Sequence, residues 1–155
     1  MSNPVITPEQ FLTHWQAHRR LTRRIIAAFP DDQLFAFSVG GMRTFGALAN
    51  EMLGMAAPTV RGVITDQWET YAEGAATTKE TVLAQWDENT AQLDTLFPQI
   101  PDERFQTVMT AFGQWKMPVY DLLLYIVDNE VHHRGQGYVY LRALGIEPPP
   151  FYDRS

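Results

Sequence analysis

At 155 residues, with 45% hydrophobic and 12% aromatic content, the chain is long enough to bury a core and too apolar for disorder. A net charge of −6 and a pI near 5.1 give no broad attraction to phosphate backbones or anionic membranes. The absence of cysteine excludes disulfides, thiolate metal ligands and thiol nucleophiles. The opening MSNPVITPEQF lacks a basic stretch followed by an apolar run, and no run of about 18 apolar residues exists. The expectation is one cytoplasmic domain over 1–155, with no signal peptide, no membrane span and no nucleic-acid partner.

The first predicted helix opens at Thr7-Pro8-Glu9-Gln10, where Thr7 suits the N-cap, Pro8 the first turn and Gln10 a capping box. Its apolar stripe runs through Phe11, Trp15, Leu21, Ile25 and Phe29, and Pro30 ends it. Asp31 to Gly41 reads as a connection that tucks Phe35 and Phe37 against the bundle. Thr44 then caps a second helix whose inner face holds Leu48, Met52 and Met55, with Glu51 on the same face; Pro58 is expected to kink or divide it. Trp68 to Thr78 reads as a loop. Thr77-Thr78-Lys79-Glu80 suggests a capping box for a third helix with the stripe Val82, Trp86, Leu93 and Phe97. Phe105 to Met117 reads as either a short helix or extended chain. Pro118 opens a long last helix that Gly145 and Pro148-Pro149-Pro150 stop. The fold class is all-α, a four-helix bundle with a long connection.

The last helix carries the chemical signal. Leu122, Ile126, Asn129, His133, Tyr140 and Leu144 recur at spacings of three, four and seven, one face of a helix. Asn129 and His133 thus stand where Leu or Ile is usual, with Glu130 and His132 beside them. An unpartnered buried polar group costs about 1–3 kcal/mol, so side chains, water or a metal ion must satisfy the cluster. Residues four apart lie about 40° around and roughly 6 Å along a helix, close enough to reach one point. Glu51 could add an anion, giving a mixed oxygen and nitrogen set suited to a borderline or hard divalent ion. The plainer alternative is that Glu51, Asn129 and His133 hydrogen-bond to one another.

His14 and His18 form a second pair four apart. Arg19, Arg20, Arg23 and Arg24 follow them and would oppose a cation, so the pair is read as half-exposed and the basic run as a solvated face. Gly135 and Gly137 suggest close helix packing. Trp15, Trp68, Trp86 and Trp115 read as core and interface residues.

Two segments give the chain a family likeness. MRTFGALANE, residues 42–51, and NEVHHRGQ, residues 129–136, resemble the second-helix and final-helix signatures of the DinB/YfiT-like superfamily, the latter usually His-x-x-x-His-Arg-Gly-Gln. The resemblance implies a four-helix bundle, often homodimeric, with a divalent metal on three histidines. Carried over by position, those ligands fall on Glu51, Asn129 and His133, so two of the three depart from the pattern. Nickel, zinc or manganese is the implied ion. The implied chemistry is that of a thiol transferase or hydrolase acting on a small-molecule thiol or electrophile, with Glu130 or His132 as candidate proton shuttle. The competing expectation is a non-catalytic, stress-related binding or dimerisation module whose polar cluster is structural.

Overall fold

The structure, a computed structural model, describes residues 3–155. Four long helices dominate: α1 (Pro8–Ala28), α2 (Phe45–Thr65), α3 (Lys79–Leu96) and α4 (Val119–Ala143). The starts follow local chemistry. Thr7 and Gln10 form the expected reciprocal capping box, and Thr44 accepts from the Ala47 amide. At α3 the cap is Thr78 alone, accepting from Thr81 N; Glu80 sits one position too early to complete a box. Gly145, at φ +77°, takes the left-handed position after α4, and the Ile146 amide closes back onto Leu141 O.

α1 and α2 each pack against both α3 and α4, so α1 and α2 stand diagonally across the bundle. The predicted stripes of α1 and α3 are buried at every position named for them. The core forms two clusters. Trp15, Val60, Leu93, Phe97 and Ile126 lie in one, and Phe29, Phe45, Leu48, Trp86 and Tyr140 in the other. Gly137 lets α4 approach there, since a Cβ would stand 2.7 Å from Phe45 and 3.1 Å from Ile25. A Cβ at Gly135 would meet nothing within 4 Å among the described residues, so packing within them does not account for it.

Two expectations need correction. Pro58 does not divide α2, which continues from Phe45 to Thr65. The all-α class describes the bundle but omits a small antiparallel sheet, β1 (Val108–Ala111) paired with β2 (Trp115–Pro118). Val108, Thr110 and Trp115 favour extended chain. Phe112 and Gly113, at φ +54° and +70°, make the turn between the strands. Short 3-10 segments, Phe97–Gln99 and Asp102–Gln106, lead into this hairpin, and Pro118 at its end becomes the N-cap of α4.

Candidate functional site

The hairpin, α2, α4 and the loop after α2 enclose a pocket of about 290 Å³. Glu51, Met55 and Thr59 line it from α2, each four residues on and so along one slowly turning face. Leu122, Tyr125 and Ile126 line it from α4, while Phe112, Trp115 and Met117 come from the hairpin. Tyr71 completes the wall because the loop is pinned to α2. Asn50 exchanges two hydrogen bonds with the Ala76 backbone, at 2.9 and 3.2 Å, and its carbonyl accepts from Gly74 N at 2.8 Å. Gly54 permits that approach, since a Cβ there would stand 2.3 Å from Ala72 O.

Asn129 and His133 stand directly behind this wall. The Glu51 carboxylate pairs through Oε2 with His133 Nε2, and its Oε1 lies 3.4 Å from Arg43 Nη2. Arg43 also reaches Glu73, 3.7 Å away. Glu51 Oε2 is buried yet accepts no well-aligned hydrogen bond. The His133 ring is held at its other nitrogen, 3.0 Å from Gln136 Oε1. Which His133 nitrogen carries the proton decides whether Nε2 meets the carboxylate as a donor or as a lone pair. Asn129 is half-buried and donates through Nδ2 to Met55 Sδ at 3.3 Å. Asn129 therefore steadies Met55, and His133 steadies Glu51.

The two candidate proton shuttles lie elsewhere. His132 is exposed. Glu130 is 3% exposed and points at α1, accepting from Thr22 Oγ1 at 2.8 Å. Burial pushes its carboxyl up, against the opposing pull of Arg19, the Thr22 hydrogen bond and Arg134. One residue along the helix is about 100° around its axis, which carries Glu130 away from the pocket.

The solvated reading of the α1 pair and basic run is also corrected in part. His14 is exposed, but His18 is buried, with Nδ1 3.0 Å from Arg134 Nη2 and Nε2 3.0 Å from Arg154 Nη1. Burial, then Arg134, His14 and Arg154, lower its pKa to about 4. Arg19 is buried against Trp86, its guanidinium carbon 4.2 Å from the ring centroid and Nη2 donating to Trp86 O. These residues became interior because α1 turns this face toward α3 and α4, which its own apolar stripe does not reveal.

Thr59, Tyr71, Phe112, Trp115 and Tyr125 were not anticipated as site residues. The spacing Glu51–Met55–Thr59 was a usable signal for Thr59. Tyr71 and the hairpin aromatics lie far away in sequence, and only the folded loops bring them to the pocket.

The donor set can be tested against a three-ligand metal centre. Glu51 and His133 converge as two ligands do, and a partner on Nδ1 is the usual support for a ligating imidazole. Asn129 fails the test, because its donating amide nitrogen is turned to a thioether. Among the described residues no three His, Cys, Asp or Glu side chains gather at one point. The residues present fall one ligand short of such a centre.

The profile of the DinB family matches residues 1–155. The chain is 24% identical over 153 residues to the uncharacterized protein YrdA of Bacillus subtilis (strain 168), covering 94% of this chain and 88% of the relative. Among solved structures, a DinB-like protein of Bacillus cereus superposes with a TM-score of 0.74 at 24% identity, over 93% of this chain and 97% of that one. A DinB-like protein of B. subtilis, YjoA, gives 0.71 at 18% identity, over 94% and 99%. The two structures share the fold, and the profile match over the whole length carries the classification: the chain belongs to the DinB family.

Proposed function

We propose that this DinB-family protein binds a small molecule in the pocket that ends at Glu51, and that its polar cluster orients the pocket wall instead of forming a three-ligand metal centre. One observation carries the reading: each residue at a family ligand position already has an internal partner. Asn129 holds Met55, and Glu51 and His133 hold each other, with Arg43 beside Glu51. The pocket volume is at the lower edge of ordinary ligand sites, which run from about 300 Å³, and its apolar wall with few polar groups fits their usual make-up. The test is elemental analysis of protein purified without an affinity tag, followed by dialysis against nickel, zinc and manganese. Clearly sub-stoichiometric metal is expected in every case; retention of about one ion per chain overturns the proposal.

A divalent-metal-dependent thiol transferase or hydrolase is the second reading, favoured by the convergence of a carboxylate and a supported imidazole at the end of a cavity. That enzyme would lose turnover on chelation and on His133→Ala. Full turnover by the metal-free protein would dispose of it.

A further inference from the structure

We propose that the pocket is a receptor for an organic cation, an alkylated ammonium group held among the rings of Tyr71, Phe112 and Trp115 with Glu51 as its counter-charge. The inference rests on the binding role proposed above and names the ligand class. Three features of the pocket support it.

The first is the disposition of the rings. Tyr71 and Phe112 are 5.4 Å apart between centroids and 79° apart in plane; Tyr71 and Trp115 are at 5.8 Å and 88°; Phe112 and Trp115 are at 6.1 Å and 79°. A flat ligand is best held in a slot between parallel rings. Three nearly perpendicular planes make a corner, which suits a compact, roughly spherical group. A cation within about 6 Å of a ring centroid gains from the ring quadrupole, and a substituted ammonium group carries little hydration to lose. Phe112 is held at φ +54°, a conformation non-glycine residues seldom adopt, and its ring packs on Trp68, Tyr71 and Trp115.

The second is the sign of the local charge. Two carboxylates, Glu51 and Glu73, share the single guanidinium of Arg43, which leaves one negative charge beside the corner. Lys116 alternates to the face of β2 opposite Trp115 and Met117. The Tyr71 phenol is pushed up to about 12, first by burial, with Glu73 and Glu51 adding to the shift and Arg43 opposing it, so the ring stays neutral beside the corner. His133 is the other titratable group in contact with Glu51.

The third is an unpartnered polar atom in the wall. Thr59 is 1% exposed, lines the pocket, and its hydroxyl has no hydrogen-bond partner among the described residues. An unmade bond of this kind costs free energy, and a ligand N–H or hydroxyl reaching Thr59 would recover it.

The experiment compares choline with its uncharged carbon isostere, 3,3-dimethylbutan-1-ol, by isothermal titration calorimetry in one buffer. Ionic strength is matched and a chelator is present throughout. Choline should bind at least about tenfold more tightly than the alcohol, the ratio expected for a desolvated cation among aromatic rings. Trp115→Leu and Glu51→Gln should each lower the preference, with circular dichroism showing that both variants fold. Equal binding of the two probes overturns the cation inference and leaves the binding role standing. Binding of neither overturns the cation inference as well. A choline preference alongside stoichiometric metal uptake in the separate dialysis supports the cation and overturns the metal-free reading.

Discussion

Two neighbouring residues of α4 show how differently one helix can use a polar side chain. Glu130 lies against α1, fully buried, with Thr22 as hydrogen-bond donor and the charges of Arg19 and Arg134 nearby. Arg134 in turn donates to His18 O at 3.1 Å and contacts the His18 ring. His133 lies on the pocket side, paired with Glu51, where the buried Thr59 hydroxyl has no hydrogen-bond partner among the described residues beside a cavity large enough for a ligand. Both sides break the apolar pattern. The difference is space: the α1 side is filled by protein, whereas the α2 side leaves room for something else. A polar residue on a core stripe is thus no evidence of function until its surroundings are known.

The largest expected effect comes from breaking the filled side. Glu130→Ala leaves the buried Thr22 hydroxyl without its acceptor and removes the carboxylate facing Arg19 and Arg134, and should cost about 2–3 kcal/mol in urea denaturation. Choline affinity per folded molecule should stay unchanged. A loss below about 1 kcal/mol would mean that the α1 side is not the structural half of the pair.

The next effect depends on pH. His18 has a folded pKa of about 4 against an ordinary 6.5, so between those values the unfolded chain binds more protons than the folded one. Its contribution to stability is complete above 6.5 and is lost as pH falls toward 4. Glu130, pushed upward, has the opposite sign: its folded form takes up protons first, and stability falls as pH rises above its ordinary 4.5. His18→Gln removes only the first of these. Urea midpoints at about pH 7 and pH 4.5 should therefore converge in the variant relative to the parent chain. An unchanged difference would show that burial and the neighbouring guanidinium groups do not hold the His18 ring neutral.

The smallest effect lies on the open side. Thr59→Val removes a buried hydroxyl that has no partner among the described residues, so stability should stay the same or rise by up to about 1 kcal/mol. A loss greater than about 2 kcal/mol would reveal a hidden structural bond at Thr59 and erase the contrast between the two sides.

Much of the bundle was legible because helix signals are local. The Thr7–Gln10 box, the Thr44 and Thr78 caps, the period of the stripes and the Gly145 stop all act within a few residues of themselves. The hairpin was less legible, since Val108–Ala111 and Trp115–Pro118 become strands only by pairing with each other. At the site, periodicity and the family likeness singled out Glu51, Asn129 and His133. The structure sets Glu51 against His133 and turns Asn129 to Met55.

The sequence by itself determined the helices, their caps, the polar interruption of α4 and the family. Tertiary structure alone decided that Glu130 is sealed against α1, that Arg19 and His18 are interior, and that Tyr71, Phe112 and Trp115 meet beside Glu51. The division has a physical cause. Capping and periodicity depend on atoms a turn or two apart, whereas a cavity is set by which distant segments fail to fill the same space.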